Sequence, residues 1–175
     1  MKEIGGYFEL MVPKVSGHYH PGALRLNTAG SAFRLLLSAY EDKHVYMPNY
    51  VCDSMVTPLA ELGVDYSFYP VNKYLEAEML PELGPGERFL YVNYFGVKGE
   101  YVKALSRRYR DKLIVDNAQS FFSAHDKVVD SIYSARKFFG VPDGAYWYPS
   151  REVSQSLLSS FRHPIVTMVC HTLAR

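Results

Sequence analysis

Short apolar runs rich in β-branched and aromatic residues alternate along the chain with segments whose apolar residues recur at helical spacing. Over residues 31–40, Phe33, Leu36, Leu37 and Tyr40 fall on one helical face, and Asn27-Thr28 just ahead is a capping signal. "HVYMP", at 44–48, predicts a strand. Met55, Val56, Leu59 and Leu62 make a second helical stripe that stops at Gly63, a natural helix C-terminal residue. "VDYSFYPV" alternates as a strand does. After a Pro/Gly-rich connection, "ELGPGE", come a strand in "RFLYVNYFG", a helix with Val102, Leu105 and Tyr109 inward, and a strand in "KLIVDNA". "VVDSIYS" and "GAYWYP" predict two more strands, the second antiparallel in character.

Strands separated by helices imply a mostly parallel sheet covered on both faces, because parallel strands need long crossovers. The expected fold class is therefore α/β, a three-layer α/β/α domain. In such sheets the ligand crevice lies beyond the carboxyl ends of the strands. That rule singles out the polar residues just after each strand: Asn49, Asn93, Asp116 with Gln119, and Ser134 with the following Lys137.

The 175 residues, 48% hydrophobic and 15% aromatic, suffice for one domain with a real core, or one domain with an appendage. Nineteen basic residues against 18 acidic ones give a formal charge of +1 with no charged run, which excludes long-range attraction of nucleic acid or anionic lipid. Cys52 and Cys170 show neither CxxC nor zinc spacing, as suits a reducing compartment. "MKEIGGYFEL" lacks an apolar signal core, and no apolar run approaches a membrane span. The expectation is a cytoplasmic protein without a membrane partner.

Three stretches carry candidate chemistry. In "SARKFFGVPDGAYW", Lys137 is either a surface lysine lying over aromatic rings or an amine kept for covalent chemistry with a carbonyl. "NTAGSAF", at 27–33, is either a plain capped helix or a phosphate seat, since small residues let a ligand approach free amides at a helix start. It is neither a Walker loop nor a GxGxxG fingerprint. "LIVDNAQS", at 113–120, ends in Asp116, which is either a turn or capping residue or a carboxylate aimed into the crevice. No metal is expected, because a second ligand at suitable spacing is missing and His125 reads as a lone, solvent-facing loop histidine.

Together these parts are what pyridoxal 5'-phosphate requires: a lysine for its aldehyde, an acid for its pyridine nitrogen and donors for its phosphate. On "LNTAGSAFRLLL", "MPNYVCDSM", "YVNYFG", "IVDNAQSFFS" and "YSARKFFGVPDGAY", the chain resembles the fold-type I pyridoxal-phosphate enzymes, and more narrowly the DegT/DnrJ/StrS family of sugar aminotransferases. The resemblance implies that Lys137 is the Schiff-base lysine and Asp116 the partner of the pyridinium nitrogen. It implies Gln119 beside the coenzyme's phenolic oxygen, the Ala29 and Gly30 amides with Ser134 at the phosphate, an amino donor and a nucleotide-linked keto-sugar as substrates, and a homodimer.

The departures are specific. Ile132 stands where many relatives carry a phosphate-binding serine, with Ser131 and Ser134 on either side as the hydroxyls that could take its place, and the expectation falls on Ser134. Cys52 stands where an aromatic residue stacks on the coenzyme ring, with Tyr50 as the substitute. The resemblance covers a large domain at residues 1–150. Residues 151–175 read as a short terminal segment, helical in part, in place of the small carboxyl-terminal domain. Three function classes follow: an aminotransferase or its coenzyme-binding half, a catalytically silent relative serving as an interaction or dimerisation module, and an unrelated nucleotide binder using the "NTAGS" helix start.

Overall fold

The apolar runs of the sequence become the middle of a seven-stranded sheet. The computed structural model describes residues 19–160. Its strands are β1 (Leu24–Leu26), β2 (His44–Pro48), β3 (Asp65–Tyr69), β4 (Glu87–Val92), β5 (Leu113–Asn117), β6 (Asp130–Ser134) and β7 (Ala145–Tyr148). Its helices are α1 (Ala29–Tyr40), α2 (Asp53–Leu62), α3 (Gly99–Tyr109) and α4 (Gln155–Ser160). The sheet order is β1-β7-β6-β5-β4-β2-β3; β7 runs antiparallel to both neighbours and every other pairing is parallel. This is the α/β sheet with flanking helices that the alternating pattern implied, including the antiparallel "GAYWYP" strand.

Chain direction fixes where a ligand can enter. The connections through α1 and α2 cross the sheet one way and the connection through α3 crosses it the other way, so right-handed crossovers put α3 on the opposite face. Helices α1 and α2 pack on each other. The direction reverses between neighbouring β2 and β4, and a crevice opens at the carboxyl ends of strands where such a reversal occurs.

Local chemistry sets the helix ends. Thr28 Oγ1 accepts the Ser31 N–H at 3.1 Å, so α1 begins at Ala29, two residues before the apolar stripe. Gly63 ends α2 at φ 67°, a left-handed conformation that costs glycine nothing. Leu62, expected inward, is 38% exposed, and Pro58 takes its place in the core with Met55 and Leu59.

Other differences have similar local causes. β1 is only three residues long and has no periodicity to read. The strand expected through "RFLYVNYFG" stops at Val92, because residues 94–96 turn tightly with Phe95 at φ 53°. No helix joins β5 to β6. Instead the Ser120 and Ser123 amides close successive turns on the Asn117 and Ser120 carbonyls, and Phe121 anchors the segment in the interior. β3 is an edge strand whose first four residues are exposed.

At the amino ends of β4 and β6, a buried polar knot joins three strands, β4, β6 and β7, with the α1–β2 connection. Arg88 is 1% and Asp130 0% exposed, and they pair at 2.5 Å. Asp130 also accepts the Trp147 indole N–H at 2.8 Å and the Ser150 hydroxyl at 2.7 Å. Asp42 lies 3.5 Å from Arg88 on the other side. Burying these charges is tolerable because each has a partner.

Among the described residues no helix is long and apolar enough to cross a membrane. Cys170 and the helix expected within residues 160–175 fall largely outside the described residues, as does the "MKEIGGYFEL" terminus.

Candidate active-site crevice

The carboxyl ends of β2, β4, β5 and β6 and the amino ends of α1 and α2 enclose a crevice of about 660 Å3. Asp116, on β5, reaches into it while only 5% exposed. The Ala118 N–H donates to Asp116 Oδ1 at 2.8 Å, which fixes the carboxylate. Burial pushes this carboxyl above the usual range, while the Ala118 bond and the Lys137 charge pull it back down. Lys137 lines the same crevice from a turn after β6, closed by the Phe138 and Phe139 amides on the Ala135 carbonyl at 3.0 Å each. Its side chain is exposed, so the apolar sequence around Lys137 does not bury it.

The start of α1 forms another wall through Thr28, Ala29 and Gly30, and its first turn has no acidic residue. Gly30 is there for close approach: a Cβ at that position would sit 2.8 Å from the Ser54 carbonyl oxygen. Pro58, four residues beyond Ser54, has no N–H to donate, so that carbonyl lacks its usual helical donor.

Register decides between the hydroxyls near Lys137. Ile132 pairs with Asp116 across β5 and β6 and is completely buried in the core. Two residues on, Ser134 shares that face at the strand's end and lines the crevice. It is 6% exposed, and its hydroxyl has no hydrogen-bond partner among the described residues. Ser131, on the other face, is turned away.

Gln119 also lines the crevice, and its Oε1 accepts the Phe95 N–H at 3.1 Å. The Tyr50 ring stacks on Tyr94 with centroids 5.5 Å apart. Tyr94, not singled out by the sequence, donates its hydroxyl to the Tyr50 carbonyl at 2.8 Å, and burial followed by the Asp116 charge pushes its phenol well up. In the sequence it falls within the strand expected through "RFLYVNYFG", which hides its place at the crevice. Cys52 borders the crevice, where the Ser54 hydroxyl donates to Sγ at 3.3 Å and lowers the thiol's pKa.

Other candidates lie elsewhere. Asn49 accepts the Val71 N–H, and Asn93 bonds Asn117 and Ser120, so both brace loops. His125 does not face solvent freely; its ring stacks on Tyr148 at 3.7 Å.

No family model matches the chain, and no curated protein matches it. Solved structures do share its fold. L-threonine-O-3-phosphate decarboxylase from Porphyromonas gingivalis superposes with a TM-score of 0.59 at 14% identity, over 82% of this chain and 48% of its own. The sugar aminotransferase CalS13 from Micromonospora echinospora gives 0.57 at 14% identity, over 80% and 44%. NtdA from Bacillus subtilis, with bound cofactor PMP, gives 0.56 at 14% identity, over 74% and 33%. The chain spans less than half the length of each.

Proposed function

We infer that this chain is the coenzyme-holding large domain of a pyridoxal-phosphate-dependent aminotransferase-like protein, acting with an amino donor and a nucleotide-linked keto-sugar. The observation that carries this reading is the meeting of Lys137 with the buried Asp116 in one crevice at the sheet's switch point. The donor set fits the coenzyme, with a primary amine, a buried carboxylate, a Ser134 hydroxyl without a partner among the described residues and a helix start free of acidic residues.

When bound, the coenzyme supplies a ring that accepts the electrons released at the donor's Cα. Asp116 holds the proton on the ring nitrogen, because a carboxylate buried away from water is stabilised by a cation placed against it. Lys137 Nζ would hold the coenzyme's aldehyde and, as a free amine, would be the base that moves the donor's Cα proton. Gln119 has its Oε1 occupied by the Phe95 N–H, which leaves its amide nitrogen to donate to the phenolic oxygen. Tyr50 covers the ring, and the Ala29 and Gly30 amides with Ser134 hold the phosphate.

The division at residue 150 and a second copy completing the crevice belong to the same reading. Exposed apolar side chains at Tyr50, Phe95, Val97 and Phe122 support that surface contact. They equally favour a second reading, a silent relative that serves as an interaction module. Mixing the chain with pyridoxal phosphate and then glutamate tests both. A visible band that glutamate bleaches supports aminotransfer; a band that glutamate leaves unchanged supports the silent relative. No band removes the coenzyme from either.

A further inference from the structure

One charged side chain in the crevice has no role in that reading. Arg136 lines the crevice beside Lys137, is exposed, and has no acidic or hydrogen-bonding partner among the described residues. By contrast, Arg34, Arg88, Arg108 and Arg151 are each ion-paired. Among the described residues Lys137 is the other cation lining the crevice, and in that reading the aldehyde claims it.

Backbone bonds aim the turn that carries Arg136 at the start of α1. The Ala135 N–H donates to the Gly144 carbonyl at 2.9 Å, and the Gly144 N–H donates to the Asn27 carbonyl at 2.7 Å. Gly144 is at φ 116°, a backbone conformation that L side chains rarely adopt, so this link is available to glycine. Asn27 directly precedes Thr28 and Ala29, so the turn is docked against the amino end of the helix. The buried hydroxyl of Ser134, without a partner among the described residues, lines the same crevice.

We propose that Arg136 is the cation of a phosphate-monoester seat formed with the α1 amino end and the Ser134 hydroxyl, the seat that the coenzyme's 5'-phosphate fills. The assignment of the occupant rests on the coenzyme reading above. A phosphate monoester carries nearly two negative charges at neutral pH, and a guanidinium grips two of its oxygens side by side. Amides and one hydroxyl alone would leave that charge without a counterion.

The test uses R136M and R136K, titrated with pyridoxal phosphate, with pyridoxal, which lacks the phosphate, and with inorganic phosphate. Visible absorbance reads the aldehydes and phosphorus NMR reads the phosphate. R136M should weaken pyridoxal phosphate about tenfold or more, the value of a charge-assisted bond, while pyridoxal stays within about twofold and R136K recovers part of the loss. Inorganic phosphate should bind the unaltered chain and not R136M. Equal weakening of both aldehydes overturns the proposal, since Arg136 would then only support the fold. Unchanged pyridoxal phosphate affinity also overturns it. If the unaltered chain binds neither aldehyde, the coenzyme reading fails and the phosphate titration decides: loss of phosphate in R136M sustains the seat, and equal or absent binding removes it.

Discussion

Lys137 acts on Asp116 within one crevice: its ammonium draws down a carboxyl that burial pushes up. Asp116→Asn removes the negative member and leaves its shape. Coenzyme binding should persist, but the glutamate half-reaction should slow by on the order of 100-fold or more, because a neutral amide does not hold the ring nitrogen protonated. Stopped-flow absorbance measures this, and an unchanged rate would remove the electron-accepting role of the pair.

Gly30 and Ser54 bring two helix starts together at the crevice. In Gly30→Ala the new methyl meets a backbone carbonyl at 2.8 Å, which does not rotate away. The helices must part, at a cost of about 1–3 kcal/mol of stability, and phosphate affinity should fall with them. Urea unfolding and a phosphate titration check both; a variant matching the unaltered chain in each would contradict the close approach.

Asp130 holds Arg88, Trp147 and Ser150 at the far end of the sheet. Asp130→Ala leaves the buried Arg88 with the more distant Asp42 as its one ion-pair partner among the described residues, beside the Lys112 carbonyl that its Nε bonds, and should cost about 3–5 kcal/mol. A loss below about 1 kcal/mol in urea unfolding would show that water reaches the knot.

Two buried groups push the pH dependence of stability in opposite directions. Burial raises Asp42 from 3.8 to about 6 against the pull of Arg88, so the folded chain keeps a proton that the unfolded chain releases, and stability falls as pH climbs from about 4 to about 6. Burial lowers His20 from 6.5 to about 4 against its Phe121 carbonyl bond. There the unfolded chain takes the proton, so stability rises from about pH 4 to about 6.5. Each is worth up to roughly 3 kcal/mol. Unfolding free energies across this window should rise more steeply with pH in Asp42→Asn than in the unaltered chain, and should decline with pH in His20→Gln. Identical slopes in all three chains would contradict the opposition.

Much of this geometry was legible in residue order. Asp116 stands at the end of one apolar strand and Lys137 follows another, and in a parallel sheet the ends of successive strands share one edge, so their meeting follows from topology. The small residues at 29–30 likewise marked a helix start with room for close approach. What escaped was set by contacts distant in sequence. β1 is three residues held by pairing with β7, too short for any period to show. Leu62 fits the apolar stripe of α2, yet Pro58 fills that part of the core. His125 read as a lone loop residue because Tyr148, the ring it stacks on, lies on a strand not adjacent in sequence. Arg136 drew no notice because its lack of a partner is visible only once every acidic side chain nearby has been placed.

The most direct measurement of the central claim is covalent. Pyridoxal phosphate is added to the chain, borohydride reduces whatever bond has formed to the aldehyde, and peptide mass spectrometry locates the label. The expected result is one label per chain on Lys137, absent from Lys137→Ala, because this is the lysine that shares the crevice with Asp116. Label spread over several lysines, or retained at the same yield in Lys137→Ala, would contradict the account.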